Sequence, residues 1–292
     1  MSLAFSVVIP FYYQFDQLKK TLEYFGHQVF PHDLFEVIVV NDGTEGFSEE
    51  AVKGCVNDLN LRTITIDHSG SGAARNAGVQ IARGDYIVFC DADRIPDVTF
   101  LEDYSTAIQN FPDMNCVFQG RVQECYAIDP YECDNRSLAR FSRDNQYYKK
   151  IMSIYDGDST NSSIRWASFM VGNSCVPREL FEKLGGFDPQ FDVWGFEHFD
   201  LAVRMMDLNV RFVSADKAKN YHIPHSKSKE EYISLFKKSA QIMNAKYERY
   251  NGKFNLLVQY LCGELSLQQF EILFSGEASQ TPASQPEIFY QL

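Results

Sequence analysis

Asp91-Ala92-Asp93 follows directly on the apolar run Tyr86-Ile-Val-Phe-Cys90. Residues two apart on a strand share a face, so a strand's end can aim both carboxylates into one cleft. Two anions that close repel, and they tolerate each other best beside a cation. Oxygen donors suit Mg²⁺ or Mn²⁺. The same three residues also make an ordinary solvated turn; their place at a strand tip favours the metal. Late in the chain, Tyr221-His222-Ile-Pro-His225 supplies two imidazoles. Imidazole is an acceptable Mn²⁺ ligand, so either could complete a coordination set begun by Asp93, although a lone His is often structural.

Two further runs carry candidate chemistry. Ser69-Gly-Ser-Gly-Ala-Ala-Arg75-Asn76-Ala-Gly78 reads as a flexible loop entering a helix. Backbone N–H groups there can face a phosphate, and Arg75 adds charge; a tight turn with a surface arginine fits the same residues. In Trp194-Gly-Phe-Glu197-His198-Phe-Asp200, Glu197 and Asp200 are three apart and share a helix face. A carboxylate beside a hydroxyl can take its proton. A helix N-terminus favours the ionised form and weakens such a base, whereas burial among Trp194, Phe196 and Phe199 acts the other way. Asp200 could instead simply pair with Arg204 one turn on.

The elements that must position these residues are legible in the apolar pattern. Strands are predicted over Phe5 to Pro10, Phe35 to Val40, Leu61 to Ile66, Tyr86 to Cys90 and Asn115 to Gln119. Between them, helices are predicted over Asp16 to Phe25, Ser48 to Leu59, Ala73 to Ala82 and Phe100 to Asn110. Strands apolar throughout and separated by helices indicate an α/β fold with a mostly parallel sheet covered on both faces. Ligands bind such sheets beyond the carboxyl ends of the strands, where Asp42, Asp67, Asp91 and Asp93 fall. The pattern weakens from about Cys125 to Arg165, a polar and aromatic stretch read either as an acceptor-side insertion or as solvated helix and loop. A strand follows over Ser168 to Val176, helices over Arg178 to Leu184 and Phe196 to Leu208, and a short strand over Arg211 to Ser214. Helices are predicted over Glu230 to Tyr250 and Phe254 to Phe274, then a loose tail.

The bulk composition narrows the class. A chain of 292 residues that is 45% hydrophobic, with 24 Phe and 16 Tyr, can bury a large core. A net charge of −12 argues against a nucleic-acid role. Seven cysteines, odd in number and irregularly spaced, read as reduced thiols of a cytoplasmic protein. No signal peptide or membrane span is visible, which leaves peripheral membrane contact open.

Taken together, these runs resemble the family 2 glycosyltransferases of GT-A fold. The resemblance rests on Val8-Ile-Pro-Phe-Tyr12, Val39-Val-Asn-Asp42-Gly, Gly72-Ala-Ala-Arg75-Asn-Ala-Gly and Gly84-Asp-Tyr-Ile-Val-Phe-Cys-Asp91-Ala-Asp93, and spans roughly residues 4 to 225. Gly186 to Arg204 is similar to a C-terminal galactosyltransferase motif. That motif is shared by β-1,4-galactosyltransferases, chondroitin-polymerase-like enzymes and polypeptide N-acetylgalactosaminyltransferases. The resemblance implies a GT-A domain over 1–225, with 1–120 binding the nucleotide sugar and 121–225 the acceptor, a helical extension over 226–274 and a flexible tail over 275–292.

It also implies roles. Pro10, Tyr12 and Asp42 line the nucleoside pocket; Arg75 and Trp194 serve the donor sugar's end of the cleft. Asp91 faces the ribose or a metal-bound water. Asp93 binds Mn²⁺ or Mg²⁺ with His222 or His225. Glu197 is the favoured base for an inverting transfer from a UDP-sugar, with His198 and Asp200 as the other candidates. His198 departs from the family pattern, in which an acid usually follows the glutamate. That departure leaves a retaining enzyme, or a nucleotide-sugar binder without catalysis, as alternatives. The acceptor, whether carbohydrate, lipid-linked or protein, is not legible.

Overall fold

The computed structural model describes residues 3–56, 58–191, 195–224 and 229–276. Trp194, His225 and nearly all of the expected tail lie outside them.

The strands are β1 (Phe5–Phe11), β2 (Phe35–Asp42), β3 (Leu61–Ile66), β4 (Tyr86–Cys90), β5 (Arg94–Pro96), β6 (Cys116–Cys125), β7 (Ser142–Asp144), β8 (Ser159–Thr160), β9 (Asn173–Pro177) and β10 (Arg211–His222). The helices are α1 (Phe15–Gly26), α2 (Glu49–Lys53), α3 (Ser71–Gln80), α4 (Phe100–Asn110), α5 (Asn135–Phe141), α6 (Gln146–Ile151), α7 (Arg178–Leu184), α8 (Glu197–Asp207), α9 (Lys229–Lys246), α10 (Phe254–Leu261) and α11 (Leu267–Ser275).

One curled sheet runs β3-β2-β1-β4-β9-β6-β10-β5, with β7 on β6 and β8 on β10. The block β3-β2-β1-β4 is parallel. Strand β9 then runs antiparallel to both β4 and β6. Two reversals restore the direction, so β6 points the same way as β4, and β10 runs parallel to β6. The carboxyl ends of β1, β2, β4, β6 and β10 therefore share one edge of the sheet, and the candidate residues gather there.

Alternation along the strands explains why their apolar runs are unbroken. Val8, Ile38, Val40, Ile87 and Phe89 face one core, and Val7, Ile9, Val37, Val39 and Val88 face the other. Helix α1 covers the second face with Leu18, Leu22 and Phe25, and α4 adds Phe100, Leu101 and Tyr104. The first face takes α3, α7 and α8, together with the C-terminal helices. Trp166 is fully buried there, in ring contact with Phe199 of α8, Phe254 of α10 and Phe270 and Phe274 of α11. Helix α3 lies so close to β1 that a Cβ on Gly78 would stand 2.4 Å from Val8 Cγ1.

Several element boundaries differ from the sequence reading. Helix α2 stops at Lys53 before Gly54 rather than running to Leu59. Strand β6 continues past Gln119 to Cys125, and β10 past Ser214 to His222. The polar residues after Ser214 look like a strand end, but a bulge between Ala215 and Lys219 absorbs them and pairing resumes. The expected strand over Ser168 to Val176 is a 3₁₀ turn at Arg165–Ser168 followed by β9. The helix expected over Phe254 to Phe274 breaks after Leu261, where Gly263 has φ +76° and Ser266 begins α11 with a capping box to Gln269. Among the described residues no helix is long and apolar enough to cross a membrane. All seven cysteines are free.

Candidate active site

At the tip of β2, Asp42 does not stand open to solvent. Its Oδ1 accepts from the Ser69 N–H at 2.7 Å and its Oδ2 from the Gly70 N–H at 3.0 Å. The glycine-rich loop thus holds an anion, and that anion is the Asp42 carboxylate. His68 Nδ1 lies 3.0 Å from the same carboxylate, and its ring stacks on Tyr12 with centroids 4.3 Å apart. Tyr12 and its neighbour Tyr13 remain exposed, a ready aromatic rim for a planar ligand. Pro10 lies within β1 at the same edge.

The Asp91-Ala92-Asp93 turn separates its two acids. Asp91 is gripped by arginines: Arg75 Nη2 reaches Oδ1 at 2.7 Å and Arg94 Nε reaches Oδ2 at 3.3 Å. Each Asp91 oxygen thus accepts from one guanidinium, and the side chain keeps partial exposure. The pair packs against Gly172, where a Cβ would fall 2.3 Å from Asp91 Oδ2 and 2.4 Å from Arg94 Nε.

Asp93 turns the other way. The short strand β5 pairs with the end of β10, opposing His222 to Arg94, and the Ile223 N–H donates to the Asp93 carbonyl at 2.9 Å. This zipper brings His222 Nε2 to 3.5 Å from Asp93 Oδ2. Behind it, His222 is in register with Glu124 across the parallel β10–β6 pair, and its Nδ1 is 2.6 Å from Glu124 Oε2. Burial opposes charge on His222, but the Asp93 and Glu124 hydrogen bonds win and raise its pKa to about 9. Burial likewise pushes the Glu124 carboxyl up, and hydrogen bonds from His222 and Asn145 hold it below the usual range.

This donor set fits a divalent cation. Glu124 fixes one imidazole nitrogen and leaves the other facing a carboxylate, the common arrangement behind metal-bound histidine. Among the described residues no group of three or more His, Cys, Asp or Glu could hold an ion. Two protein ligands suit a cation that takes its remaining partners from phosphate oxygens and water.

Glu197 opens α8 and is buried against the start of α3. Arg75 Nη1 lies 3.4 Å from its Oε1, Ser71 Oγ 3.5 Å from the same atom, and the Gly195 N–H donates to Oε2 at 3.1 Å. Burial pushes this carboxyl up, but His198, Arg75 and local backbone hydrogen bonding reverse that and bring it down to about 2. The ionised form thus wins over burial through these neighbouring groups. The His198 Nδ1 is buried 3.8 Å from Glu197 Oε1 and makes no hydrogen bond.

Asp200 is enclosed by partners on every side the structure describes. It has no exposure; Arg204 Nη2 and Lys246 Nζ each lie 2.7 Å from its carboxylate, and Tyr247 donates to Oδ1 at 2.8 Å. The i+4 partnership with Arg204 is real, and Lys246 of α9 also pairs with Asp188. Asp200 therefore ties α8, α9 and the 184–188 turn together.

Sequence reasoning missed Glu124, Arg94, Asn145 and Gly172. Glu124 was hidden because β6 was ended at Gln119; a strand carried through to Cys125 would have placed it beside the other strand tips.

A curled, mainly parallel sheet with an acidic turn at its fourth strand and a returning strand beside it is the GT-A glycosyltransferase architecture. The chain matches the family model described as glycosyl transferase family 2 over residues 6–170, and a model described as the N-terminal domain of galactosyltransferase over 156–226. The first match covers more than half of the chain, which therefore belongs to glycosyl transferase family 2. Hyaluronan synthase of Pasteurella multocida is 24% identical over 65% of this chain and 22% of its own length. Validoxylamine A glucosyltransferase of Streptomyces hygroscopicus subsp. jinggangensis is 24% identical over 78% of the chain and 57% of its own. The chain thus spans less than two thirds of either relative. Among solved structures, S. aureus TarS in complex with UDP superposes with a TM-score of 0.61 at 19% identity, over 95% of this chain and 76% of that one. The mannosyltransferase PcManGT of Pyrobaculum calidifontis, in complex with GDP-Man and Mn²⁺, gives 0.57 at 18%, over 95% and 70%.

Proposed function

We propose that this chain transfers a hexose or N-acetylhexosamine from a UDP-sugar to an acceptor hydroxyl with inversion, using Mn²⁺ or Mg²⁺. The observation that carries the reading is the meeting of Asp93 and His222 at one strand edge, 3.5 Å apart. Solved neighbours support the donor and the metal, since TarS was captured with UDP and with UDP-GlcNAc and PcManGT with Mn²⁺.

Each residue then has a task. Tyr12 and Tyr13 offer aromatic faces to the base, and Asp42 holds the 68–70 loop beside it. Asp93 and His222 hold the cation, which when bound neutralises the diphosphate as it leaves. Arg75 bridges Asp91 and Glu197. Gly186 to Arg204 plays the part of the galactosyltransferase-type motif, and Glu197, at its centre, meets the sugar and receives the acceptor proton. The domain division at 225 and a cytoplasmic site belong to the same proposal.

One observation favours a second reading. A carboxyl at about 2 is a weak base near neutral pH, and a retaining transfer needs no such base. Incubation with UDP-sugars and Mn²⁺, following UDP release and the anomeric configuration of the product by NMR, tests both. An inverted product supports the first reading and a retained one the second. UDP binding with no sugar release overturns both in favour of an inactive binder.

A further inference from the structure

The strand pairing that assembles the metal pair also builds a support behind it. Glu124 is the penultimate residue of β6, in register with His222 on β10. Its Oε2 lies 2.6 Å from His222 Nδ1, and its Oε1 accepts from Asn145 Nδ2, also at 2.6 Å. Both carboxylate oxygens are thus engaged, one holding the imidazole and the other held in turn. Asn145 is itself fixed at three points. Its Oδ1 caps α6 by accepting from the Tyr148 N–H at 3.2 Å, and its own N–H donates to the Val122 carbonyl at 3.2 Å. Its Nδ2 makes the bond to Glu124. The result is a hydrogen-bonded chain from the start of α6, in the segment whose sequence pattern is weakest, through Glu124 and His222 to Asp93.

We infer that Glu124 and Asn145 are positioning residues for the divalent cation. They hold His222 with Nε2 turned to Asp93 and without touching the ion. The inference rests on the metal reading above. An imidazole on an open strand end has a free χ2 rotation, and a carboxylate on its rear nitrogen removes that freedom and makes the front nitrogen a better donor. Glu124 cannot hold this orientation alone, because its own side chain is flexible and sits at a sheet end. Asn145, locked as a helix cap, removes that freedom in turn. The wire also makes the start of α6 a structural part of the donor site.

The test is Mn²⁺ binding to the whole chain in the presence of UDP, read as free Mn²⁺ by electron paramagnetic resonance, beside thermal unfolding. Wild type, Glu124→Ala, Glu124→Gln, Asn145→Ala and Asp93→Ala are compared. Loss of the rear carboxylate weakens Mn²⁺ by roughly 10- to 100-fold. Glu124→Gln keeps an acceptor oxygen and falls between wild type and Glu124→Ala, and Asn145→Ala weakens Mn²⁺ in the same direction by a smaller factor. UDP binding without metal is unchanged in the Glu124 and Asn145 variants. If Glu124→Ala fails to fold, Asn145→Ala and Glu124→Gln carry the test. Wild-type Mn²⁺ affinity in the folded variants, with Asp93→Ala deficient, overturns this inference and leaves the metal reading standing. No Mn²⁺ binding by wild type overturns both.

Discussion

Arg75 and Glu197, 122 residues apart in sequence, meet at 3.4 Å, while the same guanidinium holds Asp91 at 2.7 Å. One buried cation therefore joins the tip of β4 to the start of α8. Removing it leaves the buried Glu197 carboxylate without its guanidinium, while Asp91 keeps only Arg94. Arg75→Ala is expected to cost about 3–5 kcal/mol in urea unfolding, and Arg75→Lys to restore only part, because an ammonium on its flexible stem does not reproduce the planar, rigid fork of the guanidinium. A variant as stable as wild type would show that the two acids do not depend on Arg75.

The acidity of Glu197 has a pH consequence with a definite sign. Its folded value of about 2 lies below the ordinary 4.5, so its ionised form stabilises the fold. That contribution is fully present above about pH 5 and is lost as pH falls through 4.5 toward 2. Glu197→Gln does not titrate there. The stability difference between wild type and Glu197→Gln should move against wild type across that window, read from urea midpoints at successive pH values. A difference independent of pH would place Glu197 near its ordinary pKa.

Glu197→Gln and Asp200→Asn should separate chemistry from architecture. The first is expected to lower kcat by about 10²-fold or more with donor KM little changed. The second disturbs a fully buried acid shared by Arg204, Lys246 and Tyr247. It should lower the unfolding free energy by about 3 kcal/mol, and the protein that remains folded should turn over at close to the wild-type rate. Steady-state kinetics beside thermal unfolding reads both, and the opposite pattern would exchange the roles.

Asp93→Ala and His222→Ala should each lose Mn²⁺-supported UDP release by about 10²-fold or more, and a chelator should do the same to wild type, reversibly on adding Mn²⁺. Undiminished release from Asp93→Ala would end the metal reading.

Gly172 supplies a test from outside the motifs. An added methyl would sit 2.3 Å from Asp91 Oδ2 and 2.4 Å from Arg94 Nε. Gly172→Ala must push that pair aside, at about 1–3 kcal/mol and with loss of turnover. Unchanged stability and turnover would show that the Asp91–Arg94 pair moves at no cost.

The sequence by itself placed Asp42 and the Asp91-Ala92-Asp93 turn at strand ends, and β1 to β4 with their helices. These are local matters: apolar runs of strand length, alternating with amphipathic stretches, declare both the element and its end. It also raised His222 and Glu197, and it named the pairing of Asp200 with Arg204, because partners one helical turn apart are visible in one dimension. Tertiary structure decided what these residues do. It turned Asp91 toward Arg75 and Arg94 and left Asp93 to His222. It gave the glycine-rich loop the Asp42 carboxylate to hold, and it set Glu197 against Arg75. It also revealed Glu124, which no spacing rule marks, because its partner lies 98 residues on, on a strand that comes into register with it only after a bulge. Charge and burial at such a site are sums over groups distant in the chain, and only packing brings those groups within range of one another.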